Sequence, residues 1–322
     1  MAPEQPGLTE IEAAAALVHR HMPPTAQYAW PLLATRAGCE VWLKHENHTP
    51  AGAFKIRGGL VYMDRLRRER PEVQGVASAT RGNHGQSLAF AATRAGIGAT
   101  IVVPHGNSVE KNAAMRAFGA ELIEAGHDFD AARDEARRIA ATRGLEMVPS
   151  FHRDLVTGVA TYALEFLRAA PPLDTIYVPI GLGSGICGVL SVRDALGLST
   201  EVVGVVSAHA AAYALSFAAG RPIATNSADT MADGMAVRTP DPDALAMIRR
   251  GVARIVEVDD AEVMAATRAL HEDTHQLVEG AGAAPLAALL RERDRQRGRR
   301  VGLIVTGGNI DRTVYRRVLG DA

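Results

Sequence analysis

Short apolar runs at residues 75–78, 100–103, 121–123, 175–179, 202–206 and 301–305 constrain this chain more than any other feature, because amphipathic stretches separate most of them. A strand buried on both faces needs apolar residues at successive positions, and strand–helix alternation covers both faces of a parallel sheet. Helices are predicted over residues 11–21, 86–94, 129–143, 155–169, 261–277 and 284–295, each closed by Gly, Pro or a polar turn. One strand–helix succession runs from about residue 74 to 148, and another from Phe151 onward with a longer elaboration around residues 222–242. The expectation is an α/β chain of two lobes with a cleft between them. Ligands of such sheets sit beyond the carboxyl ends of the strands.

The 322 residues, 47% of them apolar, suffice for a large core, and the formal net charge of -1 gives no reason to expect nucleic acid or an anionic membrane as partner. The expected ligand is a small molecule. Cys39 and Cys187 stand in no metal-ligand spacing and read as buried free thiols, which suits a reducing cytoplasm. No basic segment leads into an apolar run at the N-terminus, and no stretch reaches the ~20 apolar residues of a membrane helix, so a cytoplasmic protein is expected.

Four strand-end or turn segments carry polar chemistry. In the first, Thr49-Pro-Ala-Gly-Ala-Phe54-Lys55-Ile-Arg-Gly-Gly59, a Pro/Gly turn presents one lysine in largely apolar surroundings at a helix start. Desolvation favours the neutral amine needed to attack an aldehyde; the alternative is an ordinary surface lysine. The second, Thr80-Arg81-Gly82-Asn83-His84, opens a helix directly after a strand, where backbone N–H groups and the side chains of Thr80, Asn83 and His84 can bind a carboxylate; the alternative is an N-capped loop. In the third, Gly181-Leu182-Gly183-Ser184-Gly185, the glycines let successive N–H groups close on a phosphate. Residues 183–188 also fit the dinucleotide pattern G-x-G-x-x-G, but the following strand runs into Ser207-Ala-His with no acid for a ribose, so a mononucleotide-sized phosphate fits better. The fourth, Thr306-Gly-Gly-Asn309, puts a hydroxyl after the last strand.

Taken in order, with Ala232-Asp233-Gly234 and Glu279-Gly-Ala-Gly between the last two, these segments resemble the serine/threonine dehydratase and serine racemase branch of the fold-type II pyridoxal 5′-phosphate enzymes, the group built like the tryptophan synthase β subunit. The resemblance implies a two-lobed α/β fold in which residues 1–74 and 149–322 form a large cofactor-binding domain and residues 75–148 a small mobile one. It implies a homodimer. It gives Lys55 the Schiff base and the α-proton, sets Phe54 against the cofactor ring and Asn83 on its 3′-oxygen, and assigns the phosphate to Gly181, Leu182, Gly183, Ser184 and Gly185. Thr306 would face the ring nitrogen, where a neutral hydroxyl does not hold that nitrogen protonated and so favours prompt elimination. Thr80, Arg81, Gly82, Asn83 and His84 would receive the substrate. The implied reaction removes water from a β-hydroxy amino acid of the serine/threonine type and yields a 2-keto acid and ammonia.

Arg81 departs from the branch, which has a small residue there, a serine in the racemases. A guanidinium is a poor proton shuttle, which argues against racemisation; its fork could bind a second carboxylate, as in 3-hydroxyaspartate, or brace the loop through an ion pair. The loop is also similar to that of the hydroxyectoine-utilisation dehydratases. The stretch 205–213, which ends the apolar run 202–206 and follows it, holds no acidic residue, so no racemase-type divalent-cation site is expected. Two other classes compete: a zinc hydrolase through His271-Glu272-Asp-Thr-His275, a literal H-E-x-x-H, and a non-catalytic cofactor-binding protein. The first leaves Lys55, Asn83 and the Gly-rich loop without work, and the expected metal complement is none.

Overall fold

The computed structural model describes residues 4–320. The outermost residues of the ranges expected for the larger domain, 1–3 and 321–322, lie outside the described residues. The described strands are β1 (Gln27–Ala29), β2 (Glu40–His45), β3 (Gly75–Ala79), β4 (Gly98–Val103), β5 (Glu121–Glu124), β6 (Glu146–Met147), β7 (Thr175–Pro179), β8 (Glu201–Ser207), β9 (Arg254–Val258) and β10 (Arg300–Val305). They form a six-stranded sheet of order β1-β2-β10-β7-β8-β9 and a four-stranded sheet of order β5-β4-β3-β6. All pairs are parallel except β1 with β2. Helices flank both sheets, so the fold is the α/β architecture expected.

Both faces of the larger sheet are covered. Val203, Val205, Leu303 and Val305 pack on one side with residues of the helix Gly280–Arg291, while Ile176, Val178, Val202, Val206 and Ile304 pack on the other with the helices Arg153–Ala169 and Ser184–Ala195. This two-sided burial is why these strands read as unbroken apolar runs rather than as alternation.

The structure corrects several expectations. Strands β1, β2, β6 and β9 were not expected. β2 was hidden by its composition, Glu-Val-Trp-Leu-Lys-His, in which Lys44 is fully buried because its Nζ lies 2.6 Å from Glu165 Oε2. The helix expected to reach residue 277 ends at Thr274, where His275 turns left-handed at φ 54°. The helix expected over residues 284–295 spans Gly280–Arg291, because Gly280 and Gly282 let its first turn approach other backbone: an added Cβ would meet Ala232 Cα at 3.0 Å and Gly307 O at 2.9 Å.

A buried ionic cluster joins β2, the helix Lys55–Glu69 and the helix Arg153–Ala169. Arg57, fully buried, donates from Nε to Glu46 Oε2 at 2.7 Å and from Nη1 to Glu165 Oε1 at 2.6 Å. Burial alone would push the Glu165 carboxyl up, but Arg57 and Lys44 outweigh it and hold it at about 2. Two cations face two carboxylates, which is the condition under which buried charge is tolerated. The same two helices cross at glycines: a Cβ on Gly158 would lie 2.3 Å from Arg57 O, and one on Gly58 would lie 2.8 Å from Leu155 O.

Candidate active site

The carboxyl ends of β3, β7 and β10 open into one cleft of about 730 Å³, lined by Lys55, the loop 80–84, the loop 181–185, Glu279 and Thr306. All four segments singled out in the sequence therefore meet. Phe54 N donates to Thr306 O at 3.0 Å, Gly308 N donates to Gly52 O at 2.9 Å, and Ala53 bridges Gly307, so the Pro/Gly turn before Lys55 is stitched to the end of β10. Ser87 Oγ donates to Lys55 O at 2.6 Å and ties the same turn to the helix Asn83–Ala95.

Lys55 is the first residue of its helix, with Nζ 3.3 Å from Ser184 Oγ and 5.1 Å from the centre of the Phe54 ring. Burial lowers its ammonium pKa to about 8, against the opposing pull of Glu279. A usable fraction of neutral amine thus exists near neutral pH. Phe54 meets Tyr162 edge-on at 6.0 Å, and Tyr162 OH donates to Gly185 O at 2.9 Å.

In the loop 181–185, a Cβ on Gly181 would lie 2.3 Å from Gly234 O, and Gly183 adopts φ 104°, so glycine is required at both places. Leu182 O accepts from Tyr213 OH at 2.9 Å. The helix Ser184–Ala195 starts here without a side-chain cap, which brings the N–H groups of its first turn and the positive end of its dipole to the loop. This cradle suits a phosphate. Thr306 Oγ1 is buried in the cleft wall with no hydrogen-bond partner, an opening for a ligand atom.

The loop 80–84 divides its labour. Thr80 Oγ1 accepts from Gly82 N at 3.0 Å and Gly85 N at 3.4 Å, shaping the turn. His84 is buried, its Nε2 unpartnered; burial, with Lys55 adding to it, pushes the imidazole down to about 3, so it meets a ligand as a neutral ring. Asn83 Nδ2 donates to Glu279 Oε1 at 2.7 Å, and Asn83 Oδ1 accepts from Asn309 Nδ2 at 2.9 Å. Arg81 is exposed at the cleft rim, and among the described residues it forms no hydrogen bond or ion pair, so the bracing ion pair weighed for it is not formed.

Lys111, Asp233, Glu279 and Asn309 had been given no role. Lys111 is buried in the cleft, its ammonium bonded to Asp233 and 3.6 Å from Glu279 Oε2. Glu279, an acid at the head of the apolar run Gly280–Leu289, was the signal available for this network; Lys111 gave none, since it reads as a surface position of a helix. The H-E-x-x-H segment does not present two imidazoles on one helical face: His275 is the left-handed residue beyond the helix end, and the His271 ring packs edge-on to Tyr315 at 5.9 Å.

Residues 18–307 match the family model described as pyridoxal-phosphate dependent enzyme. The chain is 37% identical over 277 residues to an L-threonine ammonia-lyase of Geobacter sulfurreducens, covering 86% of this chain and 69% of that one. It is 32% identical over 288 residues to an L-threo-3-hydroxyaspartate ammonia-lyase of a Pseudomonas species, covering 89% of this chain and 90% of that one. Among solved structures it superposes on maize serine racemase with a TM-score of 0.91 at 27% identity, over 99% of this chain and 98% of the other.

Proposed function

From the chain's membership of the pyridoxal-phosphate dependent enzyme family, we propose that it is an ammonia-lyase that removes water from a β-hydroxy amino acid of the serine/threonine type and releases a 2-keto acid and ammonia. The observation that carries the proposal is Lys55, a desolvated amine beside a glycine cradle, with the unpartnered Thr306 hydroxyl in the same cleft. These residues fit pyridoxal phosphate. Lys55 would hold it through Nζ, the N–H groups of residues 181–185 its phosphate, Asn83 Nδ2 its ring oxygen and Thr306 Oγ1 its ring nitrogen. When bound, the cofactor supplies the electron sink that makes the substrate's α-proton removable.

The chain's own residues do the rest. Lys55 Nζ takes the α-proton, and Ser184 Oγ, 3.3 Å away, orients the amine for it. The N–H groups at the start of the helix Asn83–Ala95 hold the substrate carboxylate, and neutral His84 adds no charge that would compete for it. With an arginine at position 81, which stays protonated and shuttles protons poorly, proton return to the other face is disfavoured, so elimination is proposed over racemisation. A keto-acid assay with serine, threonine and threo-3-hydroxyaspartate tests the reading: release from at least one, abolished in Lys55→Ala, is expected. Release from none would refute it and leave a non-catalytic cofactor-binding protein.

A second reading is supported by Arg81. A guanidinium at the cleft rim without a partner among the described residues suits a substrate with a second carboxylate, the class named for the Pseudomonas relative. A homodimer in the cytoplasm, and residues 75–148 moving as a small domain on the rest, complete the proposal. The two free buried thiols accord with a reducing compartment, and exposed Tyr28, Leu32 and Leu277 offer apolar surface for a second copy; sedimentation tests the dimer.

A further inference from the structure

The network behind Asn83 is larger than holding one amide requires. Glu279 is a fully enclosed carboxyl at the start of the helix Gly280–Arg291, its backbone N–H donating to Gly307 O at 3.0 Å. One of its oxygens accepts from Asn83 Nδ2, and the other faces Lys111 Nζ at 3.6 Å. On the far side of Asn83, Asn309 Nδ2 donates to Asn83 Oδ1 and also to Ala51 O at 2.8 Å. The Asn83 amide is thus gripped at both ends, and only one orientation satisfies both grips: nitrogen toward Glu279, oxygen toward Asn309. One N–H of Asn83 remains for the cleft.

We propose that Glu279 is a positioning residue acting through Asn83: its carboxylate, faced by Lys111, locks the amide so that it presents N–H rather than C=O to an anionic oxygen of the bound cofactor. The inference rests on the cofactor assignment made above and extends it to a residue that does not itself touch the reacting atoms. Glutamine at 279 breaks the lock for a definite reason. Its amide oxygen must turn to the Lys111 ammonium, which sets its NH₂ against the Asn83 NH₂ and forces the asparagine to flip or to let go.

Charge around Glu279 makes the lock responsive to pH. Burial raises its carboxyl to about 7; Lys111 opposes this and Asp233 adds to it. Lys55 faces it from the helix Lys55–Glu69, and Asp311 lies beyond Lys111. A protonated Glu279 accepts more weakly from Asn83, so the grip loosens as pH falls through this range.

The test uses full-length protein loaded with pyridoxal phosphate, without substrate. Cofactor absorbance is followed from about pH 6 to 8.5, and cofactor affinity is measured by titrating the stripped protein. In the unaltered chain one titration near neutral pH is expected in the absorbance. In Glu279→Gln it is lost, and the affinity falls about five- to tenfold, the difference between a charge-assisted and a neutral hydrogen bond. In an Asn83→Ala background the same change should alter affinity less than about twofold, because the residue through which Glu279 acts is gone. An equal loss in both backgrounds, or an absorbance profile unchanged by Glu279→Gln, overturns the proposal. Asn309→Ala removes the opposite grip and must shift the absorbance too; if Glu279→Gln does not fold, an unchanged profile in Asn309→Ala overturns it. An unaltered chain that takes up no cofactor would overturn the functional reading itself, a distinguishable result.

Discussion

Replacing Gly158 by alanine tests whether the crossing of the helices Lys55–Glu69 and Arg153–Ala169 sets the position of Lys55. The added methyl would lie 2.3 Å from Arg57 O, 2.7 Å from Gly58 Cα and 2.8 Å from Arg57 C. Ordinary carbon contacts begin near 3.4 Å, so the helices must part by roughly 1 Å, and the atoms in the way are backbone that cannot swing aside. Parting also stretches the 2.6 Å contact of Arg57 with Glu165 and the 3.0 Å contact with Thr161 Oγ1, both on the Gly158 helix. Overpacking of this kind costs about 1–3 kcal/mol. Helix propensity pulls the other way, alanine being better than glycine by about 1 kcal/mol in a helix interior. The steric term wins, and at ~2 °C per kcal/mol for a chain of this size a melting-temperature drop of a few degrees is expected. Lys55 begins the displaced helix, and a misplacement near 1 Å costs about 100-fold in rate. Differential scanning calorimetry and the keto-acid assay measure the two effects. A melting temperature at or above that of the unaltered protein, with activity retained, would refute the reasoning.

Arg57→Met leaves Glu46 buried without its guanidinium and should cost about 3–5 kcal/mol in denaturant melts, more than any surface arginine. Arg81→Ala should lower kcat/KM at least tenfold for 3-hydroxyaspartate while leaving serine within about twofold; an unchanged ratio of the two rejects the second-carboxylate reading. For Lys55, uptake of pyridoxal phosphate by the stripped protein should quicken as pH rises toward 8, where its amine becomes neutral and able to attack the aldehyde; a rate of uptake flat between about pH 6 and 8 refutes this. His45, which burial holds neutral down to about 4, stabilises the fold above its ordinary value of 6.5, and that contribution is lost as pH falls toward 4; His45→Gln should flatten the loss of melting temperature between pH 6.5 and 5.

How much of this was legible in the sequence follows from what each residue needs as context. β7 and β10 announce themselves because both their faces are apolar, and the Gly-rich loop because Gly183 sits at φ 104°. β2 does not, because Lys44 is read as exposed until Glu165, on a distant helix, supplies its partner. Gly158 looks like a weak point in a helix until Arg57 O is found 2.3 Å from where its Cβ would be. Lys55 and Asn83 could be singled out from their local turns, whereas Lys111 needs Asp233 and Glu279, which only the folded chain brings to it.

The strand order has a consequence for how the protein is made. β10 is the last of the described strands in sequence, yet it lies between β2 and β7, so the two halves of the larger sheet have no shared edge until it is in place. On a ribosome adding roughly 5–20 residues per second, the stretch from β9 to β10 takes seconds to emerge. During that interval the inner edges of β2 and β7 are open templates for pairing with another nascent chain. Thr306 arrives with β10, so the cleft cannot close before the sheet does, and pyridoxal phosphate bound there would favour chains in which β10 has docked over those in which it has not.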